Sequence, residues 1–175
     1  MIETYERFDF LAETAKDQYV YDENGEAYLD FYAGIAVNSA GNCNDKVVAA
    51  VRDQVGDIMH TFNYPYTIPQ ALLAEINELL DRDLAANAKK VGAYFMEQLR
   101  TLPRVKDVCG QGLLVGVEFD DGISGVDVKH GCLDRRLLIT AIGAHTIRMI
   151  PPLIITEADC DKAVAIIRGT VEALS

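Results

Sequence analysis

Val105-Lys106-Asp107-Val108-Cys109-Gly110-Gln111-Gly112-Leu113-Leu114-Val115-Gly116-Val117-Glu118-Phe119 carries three glycines through an apolar stretch, and its reading decides the fold. A phosphate-binding fingerprint would need a helix N-terminus directly after the glycines. Strand-forming residues continue instead, so the glycines read as close backbone approach in an antiparallel hairpin. Further strands follow at Leu137-Leu138-Ile139-Thr140-Ala141 and around Arg148. Upstream, Gln18-Tyr19-Val20-Tyr21 and Glu26-Ala27-Tyr28-Leu29-Asp30-Phe31 flank Asp22-Glu23-Asn24-Gly25, where Asn-Gly is a hairpin signal. Tyr32 to Val37 reads as a strand or a tight buried turn. Strand–helix alternations are too few for a doubly wound parallel sheet. The expected class is α+β, with antiparallel sheets and helices packed on one face.

The helices are marked by spacing and caps. Asn44 or Asp45 opens one whose apolar positions are Val47, Val48, Val51, Val55 and Ile58. His60 to Pro69, with two prolines, reads as irregular. From Gln70 to Leu102 the apolar positions recur at helical spacing, but an unbroken helix would be about 50 Å long. A break is therefore expected near Asp81-Arg82-Asp83. Val126 to Arg136 is a short helix. Thr156-Glu157-Ala158-Asp159 is a capping-box pattern opening a last helix, with Cys160, Ala163, Val164, Ile167, Val171 and Leu174 on one face.

Bulk properties exclude several functions. The 175 residues suffice for one ordinary domain with a real core. A formal charge of −11 opposes phosphate backbones and anionic lipid, so no nucleic acid or membrane partner is expected. No stretch approaches the ~20 apolar residues of a membrane span. No secretory signal is visible, and a cytoplasmic location is expected. Cys43, Cys109, Cys132 and Cys160 form no Cys-x-x-Cys pair, and three of them are expected to be buried free thiols. With His60, His130 and His145 equally scattered, no metal site is expected.

Arg148 stands within Thr146-Ile147-Arg148-Met149-Ile150-Pro151-Pro152-Leu153-Ile154-Ile155. A guanidinium among such neighbours is costly unless an anion or carbonyls meet it. It can be read as an internal salt bridge, as a strand-edge arginine reaching water, or as a carboxylate-binding arginine at the lip of a site.

Two blocks carry a resemblance to the class III (ornithine-type) pyridoxal-phosphate aminotransferases, most closely their acetylornithine-using members. The first is Tyr21 to Val37, continuing to His60-Thr61-Phe62-Asn63 and Tyr66-Thr67-Ile68-Pro69-Gln70. The second starts near Asp83-Leu84-Ala85-Ala86-Asn87-Ala88 and includes Val105 to Glu118 and Ile147 to Ile155. The resemblance implies the small domain of a fold-type-I aminotransferase: an N-terminal block of about 1–70 and a C-terminal block of about 83–175. The large domain that normally lies between them would be missing. That domain should hold the Schiff-base lysine, the acidic partner of the pyridine nitrogen and the phosphate loop. None of Lys16, Lys46, Lys89, Lys90, Lys106, Lys129 and Lys162 has the family's setting for that lysine. The chain also departs locally: Gly41-Asn42-Cys43-Asn44-Asp45 stands where the family usually has Gly-His-x-His/Asn-Pro.

By match to the family motif, Arg148 would pair with the substrate α-carboxylate. Ile35, Ala36, Asn63 and Tyr66 would lie near the substrate entrance. The resemblance implies pyridoxal 5'-phosphate as the family's cofactor, with no cofactor-binding and no catalytic residue expected in this chain alone. A homo-oligomer is expected as well, a dimer exchanging the 70–102 helix, because removing a large domain leaves apolar surface uncovered.

Overall fold

The computed structural model describes residues 10–57 and 81–175. The segments expected over 58–80, with Asn63 and Tyr66, lie outside the described residues. In chain order, β1 (Ala12–Lys16), β2 (Tyr19–Asp22) and β3 (Ala27–Asp30) precede α1 (Asp45–Asp57) and α2 (Leu84–Leu99). Then come β4 (Val105–Gln111), β5 (Leu114–Phe119), α3 (Gly125–Asp134), β6 (Leu137–Leu138), β7 (Thr140–Ile142), β8 (Thr146–Met149) and α4 (Glu157–Leu174).

β4 and β5 form the antiparallel hairpin read from the glycines, with Gln111 opposite Leu114. The turn is Gly112-Leu113, and Gly112 takes the left-handed backbone (φ 58°). The hairpin extends into an antiparallel sheet of order β4-β5-β8-β7. Its inner face carries Val108, Val115, Val117, Phe119, Ile147 and Met149, all buried. Against that core lie Val91, Phe95 and Leu99 of α2, Val128 and Cys132 of α3, and Cys160, Ala163, Ile167 and Val171 of α4. Full burial of each such aliphatic or aromatic side chain contributes about 1.5–3 kcal/mol. Leu174, assigned to the same helical face, is instead 42% exposed, because α4 ends there and projects past the core.

The first sheet has order β1-β2-β3-β6. Its β2–β3 connection is closed by Asp22, whose Oδ1 accepts from the N–H groups of Asn24 and Glu26, both at 2.9 Å. Only Gly25 of the Asn-Gly pair has positive φ (77°), so the connection is a four-residue loop and not a two-residue turn. β3 pairs in parallel with β6, within sheets whose other pairings are antiparallel. This parallel pair joins the first fifty residues to the rest of the chain. The single strand expected over Leu137 to Ala141 is two strands in two sheets. β6 pairs with β3 and β7 with β8, and the fully buried Ile139 is the crossing point.

The expected helix break is present. Asp81 is helical, Arg82 and Asp83 turn, and Asp83 caps α2 from a left-handed conformation (φ 45°) with its carboxylate facing the N–H of Ala86. Asn44 opens α1 by accepting from the N–H of Lys46 and Val47. α1 buries none of its residues, and Val51 and Val55 are 46% and 51% exposed. α4 starts with the full capping box: Thr156 accepts from the Asp159 N–H while the Asp159 carboxylate accepts from the Thr156 N–H.

Candidate functional site

Arg148 lies on β8, a central strand flanked by β5 and β7, and not on an edge. Its neighbours Ile147 and Met149 are buried, so strand alternation turns Arg148 to the opposite, outer face of the sheet, where it is half-buried. Gly116 stands opposite it on β5 and Thr140 on β7. The Thr140 hydroxyl donates to the Arg148 backbone carbonyl at 3.1 Å. The guanidinium makes no hydrogen bond or ion pair among the described residues, and its Nε is buried without a partner. The strand-edge placement fails on topology, and no described residue supplies an internal salt bridge. A buried guanidinium N–H left unpaired costs about 1–3 kcal/mol or more, which an incoming carboxylate would recover.

Ile35 sits in the turn Ala33–Ala36, where Ala33, Gly34 and Ile35 all have positive φ (45°, 59° and 62°). This is a left-handed turn, which the sequence allowed only as an unspecified tight turn. A β-branched residue there is strained, at about 1–3 kcal/mol, and persists only where the surroundings over-determine it. Asp30 supplies that constraint. Its Oδ1 accepts from the N–H of Tyr32 and Ala33 at 2.9 and 2.8 Å, and its Oδ2 accepts from Asn42 Nδ2 at 3.1 Å. Asn42 Oδ1 in turn accepts from Asn38 Nδ2 at 2.8 Å. Asn42 belongs to the pentapeptide that departs from the family pattern, and here it is a buried structural hub.

The turn and the arginine are tied together. The N–H of Ile150, two residues past Arg148, donates to the Phe31 carbonyl, two residues before Ala33, at 3.0 Å. The N–H of Leu153 donates to the Ser39 carbonyl at 2.8 Å. Ile35 is 51% exposed. Ala36 ends this turn, and Asn63 and Tyr66 lie outside the described residues. Two open grooves, about 560 and 260 Å³, share Cys43 but contain neither Arg148 nor Ile35. The buried Nε of Arg148, without a partner, and not groove size, marks the candidate site.

Of the four thiols, Cys132 and Cys160 are buried, while Cys43 and Cys109 are exposed, one more than expected. Cys109 is exposed because it lies on the outer face of the sheet, opposite Gly116. Burial pushes the Cys132 thiol up to about 11 and the Cys160 thiol up to about 12. No group of three metal-ligating side chains occurs among the described residues.

The family model described as Aminotransferase class-III matches residues 2–76 and 67–171. The chain belongs to the class-III aminotransferase family. It is 36% identical over 126 residues to the acetylornithine aminotransferase of Archaeoglobus fulgidus, covering 72% of this chain and 32% of that protein. It is 43% identical over 90 residues to that of Methanocaldococcus jannaschii, covering 50% of this chain and 23% of that protein. The chain thus spans a third or less of the length of these curated relatives. The ornithine aminotransferase PY00104 from Plasmodium yoelii superposes with a TM-score of 0.90 at 14% identity, covering 98% of this chain and 96% of that chain, a likeness of fold.

Class-III aminotransferases use pyridoxal phosphate, and a Schiff base to it would form on a lysine. All seven lysines are described, and six of them are exposed. Lys16, Lys106 and Lys162 have raised pKa values, chiefly through hydrogen bonds with Asp45, Glu118 and Tyr19 respectively. A Schiff-base amine needs the opposite shift, toward the neutral form. Lys46 and Lys90 face Asp81 and Glu157 on the surface.

Proposed function

We propose that this chain is the small-domain portion of an acetylornithine-type aminotransferase, joined across the position of the absent large domain, and that Arg148 is its carboxylate-binding residue. The family reaction, in arginine biosynthesis, moves an amino group between N-acetylornithine and 2-oxoglutarate. Pyridoxal phosphate, where bound, supplies the electron sink for that chemistry. This chain contributes the guanidinium fork that orients a substrate carboxylate through two parallel hydrogen bonds. Ile35 and Ala36, with Asn63 and Tyr66, border the approach to it. Without a fitting lysine the chain alone does not transaminate, and it acts in the cytoplasm.

The observation that carries this reading is the buried Arg148 Nε with no partner. Calorimetric titration with 2-oxoglutarate should give one site with Kd in the millimolar range, about −4 kcal/mol. Binding should vanish in Arg148→Met, and binding unchanged by that substitution removes the assignment. Incubation with pyridoxal phosphate followed by borohydride should label no lysine stoichiometrically. Stoichiometric labelling at one lysine together with turnover overturns the predicted inactivity.

A second reading, self-association, is favoured by the exposed apolar residues Val37 (69%), Val51 and Val55. It makes the chain a homodimer through this surface or through exchange of the 70–102 segment. A strictly monomeric mass by light scattering at high concentration removes it. Recovery of activity on mixing with a separate large-domain chain would instead make this one half of a split aminotransferase.

A further inference from the structure

The strand registers set Cys109, Gly116, Arg148 and Thr140 in one row across all four strands of the second sheet. Directly opposed residues share a face. This face is the one turned away from the core, because Val108, Val115, Val117, Ile147 and Met149 are all buried on the other. Cys109 is exposed there. Its Sγ leans over the neighbouring strand, 3.3 Å from where a β-carbon on Gly116 would stand. Since Gly116 has no side chain, nothing in the row separates the thiol from Arg148. Two strand spacings put the backbones of Cys109 and Arg148 about 10 Å apart, a span that an arginine stem and a small thiol adduct close from both ends. At the far end waits a guanidinium whose buried Nε has no partner.

We propose that Cys109 is a thiol–disulfide exchange site selective for disulfides of small acidic thiols, whose carboxylate Arg148 holds both on arrival and in the adduct. The adduct then closes Arg148 to free carboxylates and makes the site redox-controlled. This inference rests on Arg148 being a carboxylate-binding residue. In the step, the Cys109 thiolate attacks one sulfur of the incoming disulfide, and a new S–S bond forms as the old one breaks. The departing sulfur leaves with the bonding electron pair and takes up a proton equivalent to the one Cys109 released to water. Cys109 is oxidised, the departing thiol is reduced, and a free thiol reverses the exchange. Cys43, the other exposed thiol, has a different setting: its carbonyl accepts from Lys16 Nζ at 3.0 Å, and that ammonium is already paired with Asp45 at 2.8 Å.

The test uses Cys43→Ser protein and two aromatic disulfides, dithiobis(nitrobenzoate), which carries carboxylates, and dipyridyl disulfide, which is neutral. The anionic reagent should lose about tenfold in rate relative to the neutral one when Arg148→Met is introduced, the scale of one charge contact in a partly solvated site. Arg148→Lys should keep most of the preference. The anionic adduct should abolish 2-oxoglutarate binding, and dithiothreitol should restore it. An unchanged rate ratio in Arg148→Met, or full 2-oxoglutarate binding by the adduct, overturns the proposal. Cys109→Ser protein separates the two levels. If it binds 2-oxoglutarate while the rate ratio does not move, only the cysteine inference falls; if it does not bind, the Arg148 assignment falls with it.

Discussion

Gly92 of α2 lies against the hairpin turn so closely that a β-carbon at position 92 would stand 2.0 Å from the carbonyl oxygen of Gly112. The obstacle is backbone, not a side chain that can swing away. Gly92→Ala should therefore destabilise the protein by about 1–3 kcal/mol, as overpacking does, despite alanine's better helix propensity. A β-carbon added to Gly169 in α4 would meet nothing within 4 Å, so Gly169→Ala should stabilise by about 0.5–1 kcal/mol. Urea unfolding midpoints of the two variants should move in opposite directions.

Arg148→Met should raise stability while it removes carboxylate binding. An unpaired buried guanidinium N–H is a cost in the native state, and an apolar side chain of similar length relieves it by about 1 kcal/mol. Denaturant midpoints and 2-oxoglutarate titration on the same preparation check both halves. A loss of stability would mean that the guanidinium has a structural partner.

Asp159 makes the fold acid-sensitive. Burial by itself would raise its pKa, but hydrogen bonds from the Thr156 hydroxyl and N–H and from Gln18, with the Lys162 charge, bring it below the usual carboxylate value of 3.8. A lowered native pKa means stability that is fully present above 3.8 and is lost as pH falls through the native value. Asp159→Asn should flatten that acid slope and cost about 1 kcal/mol at neutral pH through the lost cap. Urea midpoints measured from pH 7 down to about 2 should show it.

The two buried thiols act at the other end of the scale. Their raised native pKa values, about 11 for Cys132 and about 12 for Cys160, give stability that is complete below the ordinary thiol value of 9.0. That stability is lost as pH rises from there toward the native values. Native protein should therefore expose two fast-reacting thiols, Cys43 and Cys109, and all four should react in denaturant. Cys160→Ala should weaken the alkaline slope above pH 9.0.

Much of the local structure was legible because its causes are local. The hairpin around Gly112 follows from strand-forming residues continuing past the glycines. The break at Arg82-Asp83, the Asn44 cap and the Thr156–Asp159 capping box each involve groups within four residues of one another, so spacing suffices to find them. The helical face of α4 was readable as far as Val171 and failed at Leu174, because periodicity does not say where the core ends.

By itself the sequence determined the α+β class, the family and the choice of Arg148 as the residue to follow. It also determined that none of the seven lysines has the family's setting for a Schiff base. Only the tertiary structure decided that β3 pairs in parallel with β6, and that the chain changes sheets at Ile139. It alone bends Ala33 to Ile35 into a left-handed turn under Asp30. The row Cys109, Gly116, Arg148 and Thr140 is also a product of register, for a slip of one residue in any strand would send its member to the other face. Register is set by burial across the whole sheet, and that is why no local pattern around Cys109 announces the guanidinium it faces.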